Sequence, residues 1–167
     1  LAPIARESNG YRREWALGDR FLVMYSGNFG IGHDVETFLA AAESLRDDDR
    51  IRFAFVGSGK RKGEVETYVR ERGLSNCLVA PVQPRERLGE LLSAADVHLV
   101  TLKEASLGCM VPSKFYGIIG ASRPVLYVGP PSSEVGRSVE ETGCGFSVGL
   151  GESAALAERI RMMALDR

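Results

Sequence analysis

Short apolar runs and helically spaced apolar residues take turns along this chain, separated by glycine-bearing breaks. Phe21-Leu22-Val23-Met24-Tyr25 is a continuous apolar run ending at Ser26-Gly27, the form of a strand buried on both faces of a parallel sheet. Val35, Phe38, Leu39, Ala42 and Leu45 then recur at helical spacing, and Asp47-Asp48-Asp49 closes that helix in solvent. Ile51 to Val56 predicts a second strand, broken by Gly57-Ser58-Gly59. A polar helix follows, with Val65, Tyr68 and Val69 inward and Gly73 as its C-terminal cap. Cys77-Leu78-Val79-Ala80 is a third strand, and Leu88, Leu91, Leu92 and Ala95 mark a third helix. Val97 to Leu102 is the fourth strand, followed by a helix opened by Pro112-Ser113-Lys114. A strand at Pro124 to Val128, a helix from about Ser132 to Glu141, a strand at Gly145 to Val148 and a helix around Ala154 to Ala164 complete the order.

That alternation predicts an α/β fold: a Rossmann-like, doubly wound sheet of about six parallel strands with helices on both faces. Residues 1–20 show no clear period and read as a leader or linker packed on a domain of residues 21–167. A length of 167 residues fits one domain with a sizeable core. A formal net charge of -1 gives no support to a nucleic-acid partner. No apolar run reaches the roughly 18 to 20 residues of a membrane span. Cys77, Cys109 and Cys144 are odd in number and widely spaced, which fits buried thiols in a reducing compartment. His33 and His98 have no metal-ligand spacing, so no metal site is expected. The chain starts at Leu1 without an initiator Met or signal peptide, the expected look of a piece of something longer.

In a doubly wound sheet, ligands bind beyond the carboxyl ends of the strands, where helix N-termini point. After the first strand this chain places Gly27-Asn28-Phe29-Gly30-Ile31-Gly32-His33 there, glycines that let backbone N–H groups approach a phosphate. The spacing is not G-x-G-x-x-G, and no acidic residue ends the second strand to hold a ribose, which disfavours an NAD domain. Gly57-Ser58-Gly59-Lys60-Arg61-Lys62 is not a P-loop: Ala54 stands where the first glycine belongs, and no Ser or Thr follows Lys60. Val82-Gln83-Pro84-Arg85 follows the third strand. Lys114 sits in the first turn of its helix, where the dipole favours anions and a cation is out of place. It either points into water or serves a site for something negative. Taken singly these residues have ordinary roles: lysines near helix starts are commonly solvated, and glycines make turns. Collected on one edge, His33, Lys60, Arg85 and Lys114 with their glycines point to a phosphorylated, nucleotide-type ligand. His98, inside an apolar strand, reads as a hydrogen-bonded core residue, and Cys109 and Met110 as packing residues.

The order Tyr25-Ser26-Gly27-Asn28-Phe29-Gly30, Phe55-Val56-Gly57-Ser58-Gly59, Ala95-Asp96-Val97, Pro112-Ser113-Lys114-Phe115-Tyr116-Gly117 and Arg123-Pro124-Val125 resembles the C-terminal half of GT-B glycosyltransferases of family 4. It is most similar to the branch that builds bacterial surface polysaccharides, over roughly residues 15 to 165. The resemblance implies a cytoplasmic donor-binding domain of a retaining hexosyltransferase type, placed in the full-length protein at the inner face of the membrane. A UDP- or GDP-sugar would be the substrate, with no cofactor and no bound metal. An N-terminal domain outside this chain would hold the saccharide or lipid-linked acceptor, and the isolated domain would be inactive.

Residue by residue, the resemblance assigns donor binding to Gly27, Asn28, Gly30, Gly32, His33, Gly57, Lys60, Val82, Gln83, Ser113 and Lys114. The turn from Gly27 to Gly32 matches the one facing the donor diphosphate, but Asn28 and His33 stand where many relatives carry Arg and Lys. Val82-Gln83 matches the loop that reads the base through backbone groups. The family's two glutamates, one of which holds the ribose, would fall at Cys109 and Gly117, so that route is missing. Lys114 is left as the residue expected to stabilise the departing diphosphate. Alternatives are a nucleotide-sugar epimerase of the same fold, which needs acidic and histidine groups not seen in this half, and a non-catalytic nucleotide-binding or scaffold domain derived from such a transferase. A phosphoacceptor receiver is disfavoured, because the first and third strands end in Ser26-Gly27 and Pro81-Val82 instead of aspartates.

Overall fold

The computed structural model describes residues 2–110 and 113–166. Val111, and Pro112 at the expected opening of a helix, lie outside the described residues. Six parallel strands form one sheet in the order β3-β2-β1-β4-β5-β6. They are β1 (Phe21–Asn28), β2 (Ile51–Ser58), β3 (Cys77–Ala80), β4 (Val97–Thr101), β5 (Val125–Val128) and β6 (Gly145–Val148). The helices are α1 (Gly10–Glu14), α2 (Glu36–Ser44), α3 (Lys62–Glu71), α4 (Leu88–Ala94), α5 (Lys114–Gly120), α6 (Glu134–Thr142) and α7 (Ser153–Leu165).

Alternation within each strand supplies both faces. From β1, Val23 and Tyr25 join Phe53 and Phe55 of β2 under α2, α3 and α7. Leu22 and Met24 face the other way with Ala54 and Val56, under α1 and α4. Farther along that second face, Val100 of β4 with Val125 and Tyr127 of β5 pack beneath α5 and α6. Such two-sided burial is why these strands are apolar throughout.

β1 and β2 run further than their apolar runs predicted. Gly27 pairs with Gly57 and Asn28 with Ser58, because ladder hydrogen bonds need no side chain. At Gly57 the backbone has φ +140, and a Cβ there would overlap the Gly27 carbonyl oxygen. The two strand ends therefore lie closer than any larger residue permits.

The leading segment has structure of its own. A 3-10 turn at Arg6–Ser8 leads into α1, whose Asn9 cap accepts a hydrogen bond from the Arg12 backbone N–H. Arg6 and Arg12 both pair with Asp96, just before β4, and Asp96 also accepts from the Leu22 N–H at 2.7 Å. Tyr11 is buried against α4, with the Trp15 ring 5.0 Å away. This packing carries the segment across the start of α4.

Cys77 and Cys144 are half-buried and Cys109 is exposed, all three as free thiols. Burial pushes the Cys77 thiol up to about 12. The packing role expected for Cys109 is corrected, since it stands exposed on the loop before α5, and Met110, also exposed, keeps only a contact over Gly32.

Candidate functional site

The chain leaves β1 toward β2 on one side, and β4 lies on β1's other side with β5 beyond it. Sheet order reverses there, and the crevice at such a switch point is the usual ligand position in this architecture. A cavity of about 460 Å³ opens at the carboxyl ends of these strands. Its floor is Ser26, Gly27 and Asn28 of β1 with Val56, Gly57 and Ser58 of β2. The loop after β3 contributes Val82 and Gln83, α4 contributes Leu88, Leu91 and Leu92, and α5 brings Ser113, Lys114 and Gly117. The lining combines apolar side chains with a few polar groups, as small-molecule sites commonly do.

Lys114 has the least usual surroundings. It lines the cavity, yet its ammonium nitrogen is sealed from solvent and has no hydrogen-bond partner among the described residues. Nζ rests 3.4 Å from the centroid of the Tyr25 ring, close to Gly27. Burial alone pushes its pKa well below the usual lysine value. Cation–π attraction from one ring offsets only part of the cost of removing a charge from water. The amine is therefore a group in want of an anion. Of the two readings open from the sequence, the one with Lys114 pointing into water is corrected.

The remaining expected residues separate into groups. Gly27, Asn28, Gly57, Val82, Gln83, Ser113 and Lys114 come together around the cavity. Gly30, Gly32, His33 and Lys60 do not line it. The chain turns away after Asn28: Gly32 packs beneath Ser106 and Met110, and its carbonyl accepts from the Lys103 N–H at 2.9 Å. His33 is buried, its Nδ1 2.8 Å from the Thr101 carbonyl oxygen. Desolvation is the main reason its pKa falls, and the nearby Lys114 adds to the fall.

The three adjacent cations have three different fates. Lys60 is exposed. Arg61 is buried, donating to Glu36 at 2.5 Å, to Glu64 at 2.8 Å and to the His33 carbonyl at 3.0 Å. Lys62 donates to the carbonyls of Gly57 and Ala80 at 2.6 and 2.9 Å, tying together the ends of β2 and β3. Arg85 lies exposed in a 3-10 turn ahead of α4. The cationic edge expected from sequence thus narrows at the cavity to Lys114. Gln83 also differs from a free side-chain ligand. Its Nε2 donates to the Pro81 carbonyl at 2.7 Å, and its Oε1 accepts from the Tyr11 hydroxyl at 3.2 Å.

Tyr25 and the leucines of α4 were read from sequence only as core. Nothing in an apolar spacing separates a leucine that meets a helix from one that meets a cavity. His98 is fully buried with Nε2 2.9 Å from the Leu92 carbonyl oxygen, and burial lowers its pKa to about 4. A second, more open cleft of about 530 Å³ lies between α2 and the turn before α7, with Asp34, Glu36 and Lys103 on its walls. There Glu36 is already paired with Arg61, which holds its carboxyl near pH 2. Among the described residues no three His, Cys, Asp or Glu side chains gather in a metal-binding group, and no helix is long and apolar enough to cross a membrane.

Comparison with known proteins shows the family and the fold. Over 119 residues the chain is 34% identical to a colanic acid biosynthesis glycosyl transferase named WcaI from Escherichia coli (strain K12), covering 71% of this chain and 29% of that protein. It is 31% identical over 160 residues to a glycosyltransferase named WbjE from Pseudomonas aeruginosa, covering 95% of this chain and 39% of that one. The chain therefore spans well under half the length of these relatives. Anabaena HepE, solved in complex with UDP-glucose, superposes with a TM-score of 0.77 at 15% identity, over 99% of this chain and 44% of that one. A model of the family "Glycosyl transferases group 1" matches residues 8–111. That stretch is more than half of the protein, which belongs to the glycosyl transferases group 1 family.

Proposed function

We propose that this chain is the donor-binding part of a retaining glycosyltransferase in surface-polysaccharide assembly. It would take a nucleoside-diphosphate sugar, while a segment outside the chain presents a saccharide or lipid-linked acceptor, with the work done at the inner face of a membrane. The observation that carries the reading is Lys114: it lines a cavity at the sheet's switch point, and its sealed amine has no hydrogen-bond partner among the described residues. The binding of UDP-glucose by a protein of the same fold supports it.

In this reading the base lies between Val82 and Leu88, and the diphosphate lies over Gly27 and Ser113. Rotation of the terminal methylenes of Lys114 takes Nζ off the Tyr25 ring and onto a phosphate oxygen. The bond between the anomeric carbon and the diphosphate oxygen breaks, and its electron pair stays on that oxygen. The diphosphate's negative charge favours the protonated amine, and a cation shielded from water stabilises the developing charge most. The acceptor hydroxyl forms the new bond to the anomeric carbon and loses its proton to a group outside this chain. Removing such a stabilising donor typically costs about 3 to 4 kcal/mol of barrier.

Calorimetric titration with UDP, GDP and their sugars tests the reading. Binding that weakens in Lys114→Ala is expected, together with at least a tenfold loss of turnover when the substitution is placed in a longer, active protein. Absence of binding to all four ligands overturns it and favours a scaffold domain.

A further inference from the structure

The cavity's apolar lining does not stand unaided. Val82 and Gln83 belong to a loop with no strand or helix of its own, between β3 and the turn Arg85–Arg87. Among the described residues, their backbone N–H and C=O groups make no hydrogen bond. Gln83 is what fastens the loop, through Nε2 to the Pro81 carbonyl on one side and Oε1 to the Tyr11 hydroxyl on the other. Its side-chain amide thus spends one donor and one acceptor site on the chain itself, while the loop's backbone groups are left open to a ligand.

Tyr11 is in turn held from several directions. Its ring is fully buried, with the Arg87 guanidinium 3.9 Å above its centroid. Arg87 pairs with Glu14 of α1 at 2.8 Å and with Glu90 of α4 at 2.7 Å. Glu90 also accepts from the Gly10 N–H at 2.7 Å, and the Asn9 amide donates to the Glu90 carbonyl at 2.8 Å. Arg87 and Glu90, themselves paired, therefore lock α1 onto the first turn of α4, the turn that presents Leu88 and Leu91 to the cavity. A buried tyrosine ring packs well without its hydroxyl, so the Tyr11–Gln83 bond is the part of this assembly aimed at the loop and not at the core.

We propose that Tyr11 is a positioning residue of the site: its hydroxyl, acting through Gln83, fixes the backbone of residues 82–83 in the form that reads a nucleotide base. The leading segment is then a working part of the ligand site. This inference rests on the donor-binding reading above, and it concerns the base end of the cavity alone. Lys114, at the diphosphate end, belongs to other elements and has no contact with Tyr11.

The two ends give the test its discrimination. Tyr11→Phe keeps the ring under Arg87 and removes only the hydroxyl. Affinities of the wild-type chain and this variant are measured by calorimetry for UDP, for GDP and for inorganic pyrophosphate, which carries no base. Expected is a loss of about three- to tenfold for the preferred nucleoside diphosphate, the size of one modest hydrogen bond. The preference between UDP and GDP narrows, and pyrophosphate affinity is unchanged. Gln83→Ala should reproduce the loss, and adding Tyr11→Phe to it should cost nothing more, because the two groups act in series. Unchanged UDP and GDP affinity in Tyr11→Phe overturns the proposal, as does an equal loss for nucleotide and pyrophosphate, which marks general loosening. A wild-type chain that binds pyrophosphate as tightly as UDP and GDP overturns something different, the base-binding reading itself.

Discussion

Arg61, just past β2, and Lys114, at the head of α5, are both withdrawn from water at the same end of the sheet, and their surroundings are opposite. Arg61 is answered on every side, by Glu64, Glu36 and the His33 carbonyl, and its pKa rises accordingly. Lys114 has an aromatic ring and no carboxylate, and its pKa falls. A cation matched by the chain's own acids holds structure together. An amine left unmatched beside a cavity costs stability when it is charged, and in the donor-binding reading its counter-charge comes from the ligand. Burial alone does not separate these roles; the partner does.

The largest expected effect comes from breaking the floor shared by both regions. Gly57→Ala puts a Cβ into the Gly27 carbonyl. We expect at least about 4 kcal/mol of lost stability, read as a fall in the urea midpoint or failure to fold at 37 °C.

Next is acid, acting on His98, a buried base kept neutral. Its pKa is about 4 folded against an ordinary 6.5, so the unfolded chain binds the proton first. The stability it contributes is complete above about pH 6.5 and is lost as pH falls toward 4, by about 3 kcal/mol in all. Urea midpoints measured across that window should decline, and His98→Gln, which keeps a donor for the Leu92 carbonyl, should flatten the decline. An unchanged slope in that variant means His98 is not its source. Lys114, also lowered by burial, acts with the same sign, its contribution being lost as pH falls below the ordinary lysine value of 10.5.

Third, Lys114→Met should weaken nucleoside-diphosphate binding at least about tenfold while leaving the unfolding midpoint equal or higher, since an unpaired buried amine is removed. A fall in stability with intact binding inverts the contrast with Arg61.

The smallest effect is expected at Arg61 itself. Arg61→Met should cost about 1 to 2 kcal/mol. Its partners Glu36 and Glu64 are 60% and 58% exposed, so water takes over much of what the guanidinium did. Nucleotide affinity should stay within about twofold. The Glu36 carboxyl, held near pH 2 first by Arg61, should return toward its ordinary 4.5 in an NMR titration. The stability it contributes, present above about pH 4.5 and lost as pH falls toward 2, should shrink with it.

Much of the fold is legible in the chain itself, because strands buried on two faces must be apolar throughout and amphipathic helices must carry a stripe. The runs beginning at Phe21, Ile51 and Cys77 become β1, β2 and β3 at their expected starts. What a run cannot show is where pairing continues on backbone alone, as at Gly27-Asn28 and Gly57-Ser58. Nor does Gly10-Tyr11-Arg12-Arg13-Glu14 have a helical period; it is helical because Asn9, Glu90 and Asp96 hold it from outside. At the site, Lys114 stands out by its position in a helix. The fate of Arg61 does not, since its partner Glu36 comes from a different helix. The same holds for Gln83, whose amide is claimed by a residue of the leading segment.

The packing of Trp15 on Tyr11 has a practical side. Trp15 is the single tryptophan of the chain, half-buried and 5.0 Å from the ring whose hydroxyl holds Gln83. Indole emission responds to polarity and to neighbouring groups, so this molecule carries one intrinsic fluorophore at the junction of its leading segment and its cavity. A change in the packing of Tyr11 is thereby open to optical readout in the unlabelled protein, in real time and without a coupled enzyme assay.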